Sequence, residues 1–534
     1  MRKSLLIISL FMLSLLSCNR VKDGDHTLDI YVTSDVHGCY FSKYYLDDSV
    51  KPNSFSKVSS VVRLARMANE DIILIDNGDN LQGDNGAFYF NYVDTASRHI
   101  FARMADSLKY DAIVLGNHDV EAGHPVYDRL KEQYTAPLLA ANAICTDGET
   151  AGKPYFDEYT IVHKGGLKVA IIGMTNPNVT SWITESLYQG IEFRSCDDMA
   201  QALVDRVRAK ERPDFVIVSV HCGSGEEDAE SIENDALYLA KHLENVDLVI
   251  GGHDHRARTA AYLEKEVHTG YVDPGARCNY LGHAVFNLSY KGGKRVKDSI
   301  TVELIPLADV SPDADFDAAF EEDYNKVKEF TLRKICQVSA PFALSDALDG
   351  PSAYMNLLYD LQLSVTGADI TFAAPLTSSG VINAGDLVYN DLTRIYPFEN
   401  KLFTISLTGE QIKNYLEYSY DRWLRREGPA YCYDSAGGIN YKVFKRKPAG
   451  SRVVIESMRD GTPFEKDKTY QVAITSYRAM GGDGLLASGA GIDVSNPDAY
   501  ITGRYGDIKE LLFDYLEKAG TLEPKVNDNW KFIE

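Results

Sequence analysis

Five short apolar runs, each breaking off into a cluster of aspartate, asparagine or histidine, narrow the possible folds of this chain more than any other feature. The runs occupy residues 28–33, 71–76, 111–115, 214–220 and 247–250. They are rich in β-branched residues and lack the alternation of a half-solvated strand, so they read as strands covered on both faces. Stretches with helical spacing, at 58–68 and 199–209, lie between them. Such alternation predicts an α/β domain over residues 27–307. In α/β sheets the functional groups gather in loops beyond the carboxyl ends of the strands.

The polar clusters supply metal-binding side chains in a fixed order. The first is Ser34-Asp35-Val36-His37-Gly38. If this segment is extended, residues i and i+2 point the same way, so Asp35 and His37 can grip one ion. In Asn77-Gly78-Asp79-Asn80, Asp79 can bridge two ions through its two oxygens. Gly116-Asn117-His118-Asp119 offers an amide oxygen and an imidazole, and Val220-His221-Cys222-Gly223 a further imidazole. Gly251-Gly252-His253-Asp254-His255 repeats the i, i+2 pair with two histidines. Any one cluster is weak, because a histidine after a strand is more often a hydrogen-bonded structural residue than a ligand. Five in succession point to a metal centre, and mixed oxygen and imidazole ligation suits Zn²⁺, Mn²⁺, Co²⁺ or Fe.

The remainder of the 534 residues requires at least one more domain. Residues 308–335 are charged and helix-compatible, with Ser311-Pro312 as a start, and read as a linking helix. Residues 336–534 form a smaller mixed α/β domain, with helices expected at 355–366 and 410–424 and strands at 402–407 and 470–476. A net charge of −22 excludes a broad surface for DNA or RNA. An anionic substrate would need local cations, which bound divalent metals can supply.

At the start of the chain Arg2 and Lys3 precede an apolar run over 5–16 and then Ser17-Cys18. The run is short for a membrane span and reads as an export signal. A small residue followed by cysteine resembles a bacterial lipoprotein processing site, so residues 1–18 are expected to act as a lipoprotein signal. The product would be lipid-anchored in the periplasm or at the outer-membrane surface of a bacterium. An ordinary secretory signal with an incidental cysteine is the alternative. Seven cysteines remain after Cys18, an odd number without a CxxC pair. No disulfide framework is expected, and these cysteines read as small buried apolar residues.

The order of the five clusters resembles the calcineurin-like metallophosphoesterase superfamily, whose pattern is DxH, GD, GNH[ED], H and GHxH. That resemblance implies a four-layer αββα domain. It implies two ions, one held by Asp35, His37, Asp79 and His255 and the other by Asp79, Asn117, His221 and His253. Two such ions about 3.5–4 Å apart bind a phosphate ester and activate water. The resemblance also gives His118 the task of stabilising the phosphoryl group or protonating the leaving oxygen. A carboxylate would orient it: Glu121, three residues on, is preferred, with Asp119 as the alternative.

The C-terminal half carries Tyr389-Asn390-Asp391-Leu392-Thr393-Arg394-Ile395-Tyr396-Pro397-Phe398, then Tyr433-Asp434-Ser435-Ala436-Gly437-Gly438, then Tyr477-Arg478-Ala479-Met480-Gly481-Gly482-Asp483-Gly484. These segments resemble the C-terminal domain of the 5′-nucleotidase and 2′,3′-cyclic-nucleotide phosphodiesterase family. There, two aromatic rings sandwich the base, and Tyr433 and Tyr477 match their places. Asp483 matches the position that holds sugar hydroxyls. With 33 tyrosines in the chain, the competing reading of either ring is plain packing. One departure stands out: residues 374–382 lack the arginine with which 5′-nucleotidases of that family hold phosphate. A guanidinium is not replaced by Ser or Thr without loss. The expectation is therefore an exported hydrolase of small-molecule nucleotides, acting on 2′,3′-cyclic nucleotides and 3′-nucleotides. It would touch the membrane only through its lipid anchor and work in the cleft between its domains. Rival readings are a 5′-nucleotidase or nucleotide-sugar hydrolase, and a nucleotide-binding lipoprotein without catalysis.

Overall fold

The computed structural model describes residues 21–398, 400–495 and 497–534. The expected export signal and Cys18 lie outside them. The apolar runs form two six-stranded sheets laid face to face. In the first, Gly24–Thr33, Ile73–Asp76, Ala112–Val114 and Leu138–Leu139 run parallel, with Ile30 opposite Ile73 and Thr33 opposite Asp76. A long antiparallel hairpin, Tyr280–Lys291 with Lys294–Pro306, extends the other side of Gly24–Thr33. In the second sheet Leu167–Thr175, Phe215–His221, Leu248–Ile250 and Thr269–Asp273 are parallel, with antiparallel strands at both edges.

Both faces of each sheet are covered, which is why the runs are continuously apolar. Ile30, Ile73 and Val114 of one sheet meet Val169, Ile217 and Ile250 of the other in a fully buried layer. Helices Phe55–Ala68 and Ile100–Leu108 cover the outer face of the first sheet, and Cys196–Glu211 and Ala236–His242 that of the second. The result is the expected αββα stack. Because the central strands of both sheets are parallel, their carboxyl ends meet at one edge. All five polar clusters lie there.

The expected linking helix is two helices, Ala314–Ala319 and Glu321–Leu332, broken at Phe320. Asp313 starts the first by accepting from the N–H groups of Asp315 and Phe316. Phe316, Phe320 and Val327 belong to the core of the αββα domain, whereas Phe330 packs into that of the second. The segment is thus a shared wall. At the same joint, Phe88 stacks on Phe330 with centroids 6.2 Å apart, and Thr393 donates to Asn85 at 2.8 Å.

The second domain is built on a five-stranded sheet containing Ile370–Ala373, Lys401–Thr408, Ser435–Gly437, Thr469–Thr475 and Ile501–Asp507. Helices Ala353–Thr366 and Gly409–Arg425 pack against it. Thr408 starts the latter, its hydroxyl accepting from Gln411 N–H. Among the described residues no helix is long and apolar enough to cross a membrane.

Candidate metal centre and the cavity it faces

The seven candidate ligands converge where the two sheets end. One ligand atom each from Asp35, His37 and His255 lies within 4.8 Å of the others, and a second such group joins Asp79, His221 and His253. Asn117 completes the second group, its Oδ1 2.8 Å from His253 Nδ1. The groups adjoin: Asp35 Oδ1 is 3.5 Å from His255 Nε2 and 3.9 Å from His221 Nε2.

The convergence is not produced by extended i, i+2 pairs. Asp35, His37, Asp79, His253 and His255 all take left-handed backbone angles, with φ of 52°, 48°, 60°, 70° and 60°. Such angles are uncommon outside glycine, and they cluster at functional sites because the surrounding structure must enforce them. Here the enforcement is visible. The loop after the first strand runs beside the loop after the second, Asp35 N–H donating to Gly78 O at 2.8 Å and His37 N–H to Asp79 O at 3.0 Å. The Asp119 carboxylate accepts from the N–H groups of Asp79, Asn80, Leu81 and Gly116, at 2.8–3.1 Å. Gly116 has no substitute, because a Cβ there would stand 2.1 Å from Asp79 Oδ1.

The donor set fits divalent ions. Asp35 Oδ1, Asp79 Oδ2 and His221 Nε2 are fully buried, and the last two have only each other, at 3.1 Å, an arrangement that a divalent cation between them would satisfy. His37 Nε2 and His255 Nε2 approach to 2.9 Å. Three imidazoles have their other nitrogen within reach of an acceptor: His37 Nδ1 at Gln82 O (3.2 Å), His221 Nδ1 at Asn77 O (2.6 Å) and His253 Nε2 at Glu233 Oε1 (3.1 Å). Donating there fixes the tautomer and turns the remaining lone pair inward, the usual support of a metal-bound histidine. Burial holds His37 down to about 3, so its ring is neutral as a ligand must be. The carboxylates of Asp79 and Asp35 outweigh burial at His221 and raise it to about 10, so this ring is charged until an ion displaces its proton.

His118 stands at the rim, one third exposed, on the short helix Asn117–Glu121. Its Nδ1 is 2.5 Å from Glu121 Oε2. Asp119 is turned away into the backbone contacts described above, so the structure places Glu121 and not Asp119 beside this ring. Burial opposes a charge on His118, but Asp79 and Glu121 together lift it to about 9.

The centre opens on a cavity of about 400 Å³ between the domains, within the range of small-molecule sites. One wall carries Asn117, His118, Glu121, Trp182, Glu233 and His253; the other carries Phe398, Tyr431, Asp434, Tyr477 and Arg478. Tyr477 lines the cavity, its ring lying over Gly482, at which a Cβ would come within 2.4 Å of the ring. Two expectations need correction. Tyr433 is 5% exposed, its ring stacks on Trp423 and its hydroxyl donates to Gly428 O. Tyr431, two residues earlier, faces the cavity instead, edge-on to Phe398. Asp483 is drawn away by Arg478, with whose guanidinium it pairs. The same guanidinium pairs with Asp434 at 3.0 Å and donates to Tyr431 O at 2.6 Å.

Sequence reasoning missed Trp182, Glu233, Phe398, Tyr431 and Arg478. Trp182 stacks on His253 with centroids 5.3 Å apart. It and Glu233 sit in loops with no local signature. Arg478 follows Tyr477 directly and was open to notice as a cation beside a glycine-rich turn.

Fold and site together define a two-domain metallohydrolase, with a metal centre in one domain facing an aromatic pocket in the other. Comparison with known proteins agrees. The family model for calcineurin-like phosphoesterases matches residues 28–257, and that for the 5′-nucleotidase C-terminal domain matches residues 334–488. The chain belongs to the metallophosphoesterases that join these two domains, a family of metal-dependent phosphoester hydrolases. It is 25% identical to a 2′,3′-cyclic-nucleotide 2′-phosphodiesterase/3′-nucleotidase of Haemophilus influenzae, over all of this chain and 92% of that one. It is 24% identical to the trifunctional nucleotide phosphoesterase protein YfkN of Bacillus subtilis, over 94% of this chain but 38% of that protein's length. The crystal structure of a putative 5′-nucleotidase from Staphylococcus aureus shares the fold, with a TM-score of 0.79 at 22% identity, covering 95% of this chain and all of the other.

Proposed function

We propose that the protein opens 2′,3′-cyclic nucleotides to 3′-nucleotides and then hydrolyses these to nucleosides and phosphate. The observation that carries this reading is the composition of the cavity wall. Aromatic rings at Phe398, Tyr431 and Tyr477 suit a base, yet the lining offers no free guanidinium, Arg478 being fully engaged by Asp434, Asp483 and the Tyr431 carbonyl. A cyclic phosphodiester is a monoanion and asks for less positive charge than a phosphomonoester; the 3′-monoester carries the same charge as a 5′-monoester, so the missing guanidinium supports the diester step alone. The 25% identity to the Haemophilus influenzae phosphodiesterase over the whole chain supports the same branch.

Two divalent ions held by the seven ligands would neutralise phosphoryl charge and lower the pKa of water enough for attack at phosphorus. The chain's own groups do the rest. His118, its Nδ1 tied to Glu121, directs Nε2 at the cavity and holds the proton that the departing ribose oxygen requires. Glu233 orients His253, and Trp182 shields it from water. Tyr431 and Tyr477 position the base, so that cyclic diester and 3′-monoester bring different bonds to one centre. The test is a comparison of kcat/KM: 2′,3′-cyclic AMP and 3′-AMP should be cleaved at least tenfold better than 5′-AMP. The reverse order assigns the protein to the 5′-nucleotidases instead.

A further inference from the structure

Away from the phosphoesterase ligands, three buried side chains from three different elements meet behind the second sheet. Cys196 opens the helix Cys196–Glu211, Cys222 follows the strand Phe215–His221, and Asp235 precedes the helix Ala236–His242. Their solvent exposures are 0%, 0% and 1%. One donor atom of each lies within 4.8 Å of the others, and the two sulfurs are 3.9 Å apart. None of the three belongs to the ligand groups described above.

We infer that Cys196, Cys222 and Asp235 form a separate metal site, built for a thiophilic divalent ion such as Zn²⁺. The sulfur separation is the first reason. Two thiolates on a tetrahedral Zn²⁺, at about 2.3 Å each, stand about 3.8 Å apart, close to the distance seen. The carboxylate is the second. Asp235 occupies a helix N-cap position, where aspartate normally accepts from the first-turn N–H groups, yet it makes no such bond. Its Oδ1 is buried without a hydrogen-bond partner, as is Oδ1 of the neighbouring Asp197. No cationic side chain pairs with either among the described residues. A buried carboxylate so placed is costly unless it keeps a proton or a cation satisfies it. Burial, followed by the neighbouring Asp197, pushes Asp235 up to about 8, so without an ion the pair retains a proton. Asp197 or a water completes four-coordination.

Small apolar packing explains the thiols but not the acid. Cys196 Sγ can donate to Thr175 O at 3.4 Å, whereas the Asp235 carboxyl finds its hydrogen bonds within the cluster, at Cys222 and at Asp197, itself an acid, and its Oδ1 is left over. An ion here would clamp the end of the strand one residue past His221. It would therefore steady the phosphoesterase centre without touching substrate.

Cobalt distinguishes the two sites, because the seven phosphoesterase ligands include no sulfur. The reduced, full-length chain reconstituted with Co²⁺ should show a thiolate-to-cobalt charge-transfer band in the near ultraviolet. It should also hold one metal equivalent beyond those of the phosphoesterase centre. Joint Cys196→Ser and Cys222→Ser substitution should abolish the band and remove that single equivalent, while Asp79→Ala should leave the band in place. Folded wild-type protein without the band overturns the inference, as does a Cys196–Cys222 disulfide in the mass of the unreduced protein. If the double variant fails to fold, thiol labelling of the wild type decides: protection lost on chelation supports the site, and labelling indifferent to chelator refutes it.

Discussion

On one wall of the cavity Asp35, His37, Asp79, His253 and His255 hold left-handed backbone angles, and Asp35 Oδ1, Asp79 Oδ2 and His221 Nε2 are fully buried, the last two 3.1 Å apart. On the facing wall Arg478 is saturated by Asp434, Asp483 and the Tyr431 carbonyl, and Tyr415 donates to Asp434 at 2.5 Å. The first wall stores strain and closely spaced buried charge that bound cations would relieve. The second is complete by its own hydrogen bonds and offers flat apolar faces. The contrast teaches how the work divides: chemistry where the chain is frustrated, recognition where it is settled.

Substitutions can break this contrast. The largest effect is expected at the strained wall. Asp79→Ala should lose roughly 10³-fold or more in kcat together with bound metal, by removing the ligand that the resemblance assigns to both ions. His118→Ala should cost about 10²–10⁴-fold in kcat while retaining metal. Metal analysis beside the kinetics reads both, and a His118→Ala protein that loses its metal would make that residue a ligand. Next comes the settled wall. Arg478→Ala leaves the buried Asp434 carboxylate without its cation and should lower unfolding stability by about 3–5 kcal/mol, measured by denaturant titration. A variant of unchanged stability would show that the triad exists for substrate and not for the fold. The smallest effect concerns the rings. Tyr477→Ala and Tyr431→Ala should each raise KM for nucleotides by about 5- to 150-fold, matching roughly 1–3 kcal/mol of stacking, and spare p-nitrophenyl phosphate. Tyr433→Ala should leave KM alone and lower the melting temperature. A KM effect at Tyr433 in place of Tyr431 would mean that the pocket rearranges when a nucleotide binds.

Much of this was legible beforehand. The helices expected at 355–366 and 410–424 are Ala353–Thr366 and Gly409–Arg425, and the strands expected at 402–407 and 470–476 are Lys401–Thr408 and Thr469–Thr475. Local periodicity and capping carry such elements. The linking helix was misread as continuous because its break at Phe320 comes from packing on the αββα core, which no local signal announces. The convergence of Asp35 with His37 was expected for the wrong reason. Left-handed turns held by the adjoining loop bring them together, not strand alternation.

What the sequence determined by itself is the metal centre's inventory. Each cluster lies at or a few residues past the end of a buried strand, and parallel strands must deliver their carboxyl ends to one edge, so the chain order already names the clusters, while the family resemblance picks the ligands within them. What only the tertiary structure decided is the make-up of the cavity's second wall. Tyr431 and Tyr433 are two residues apart and chemically identical, and the choice between them is made by Trp423 and Gly428, which occupy one ring and its hydroxyl and leave the other facing the cavity. Likewise the acid three residues after His118 became its partner because four backbone N–H groups had already claimed Asp119. Such choices depend on contacts assembled from several loops, and a linear pattern does not contain them.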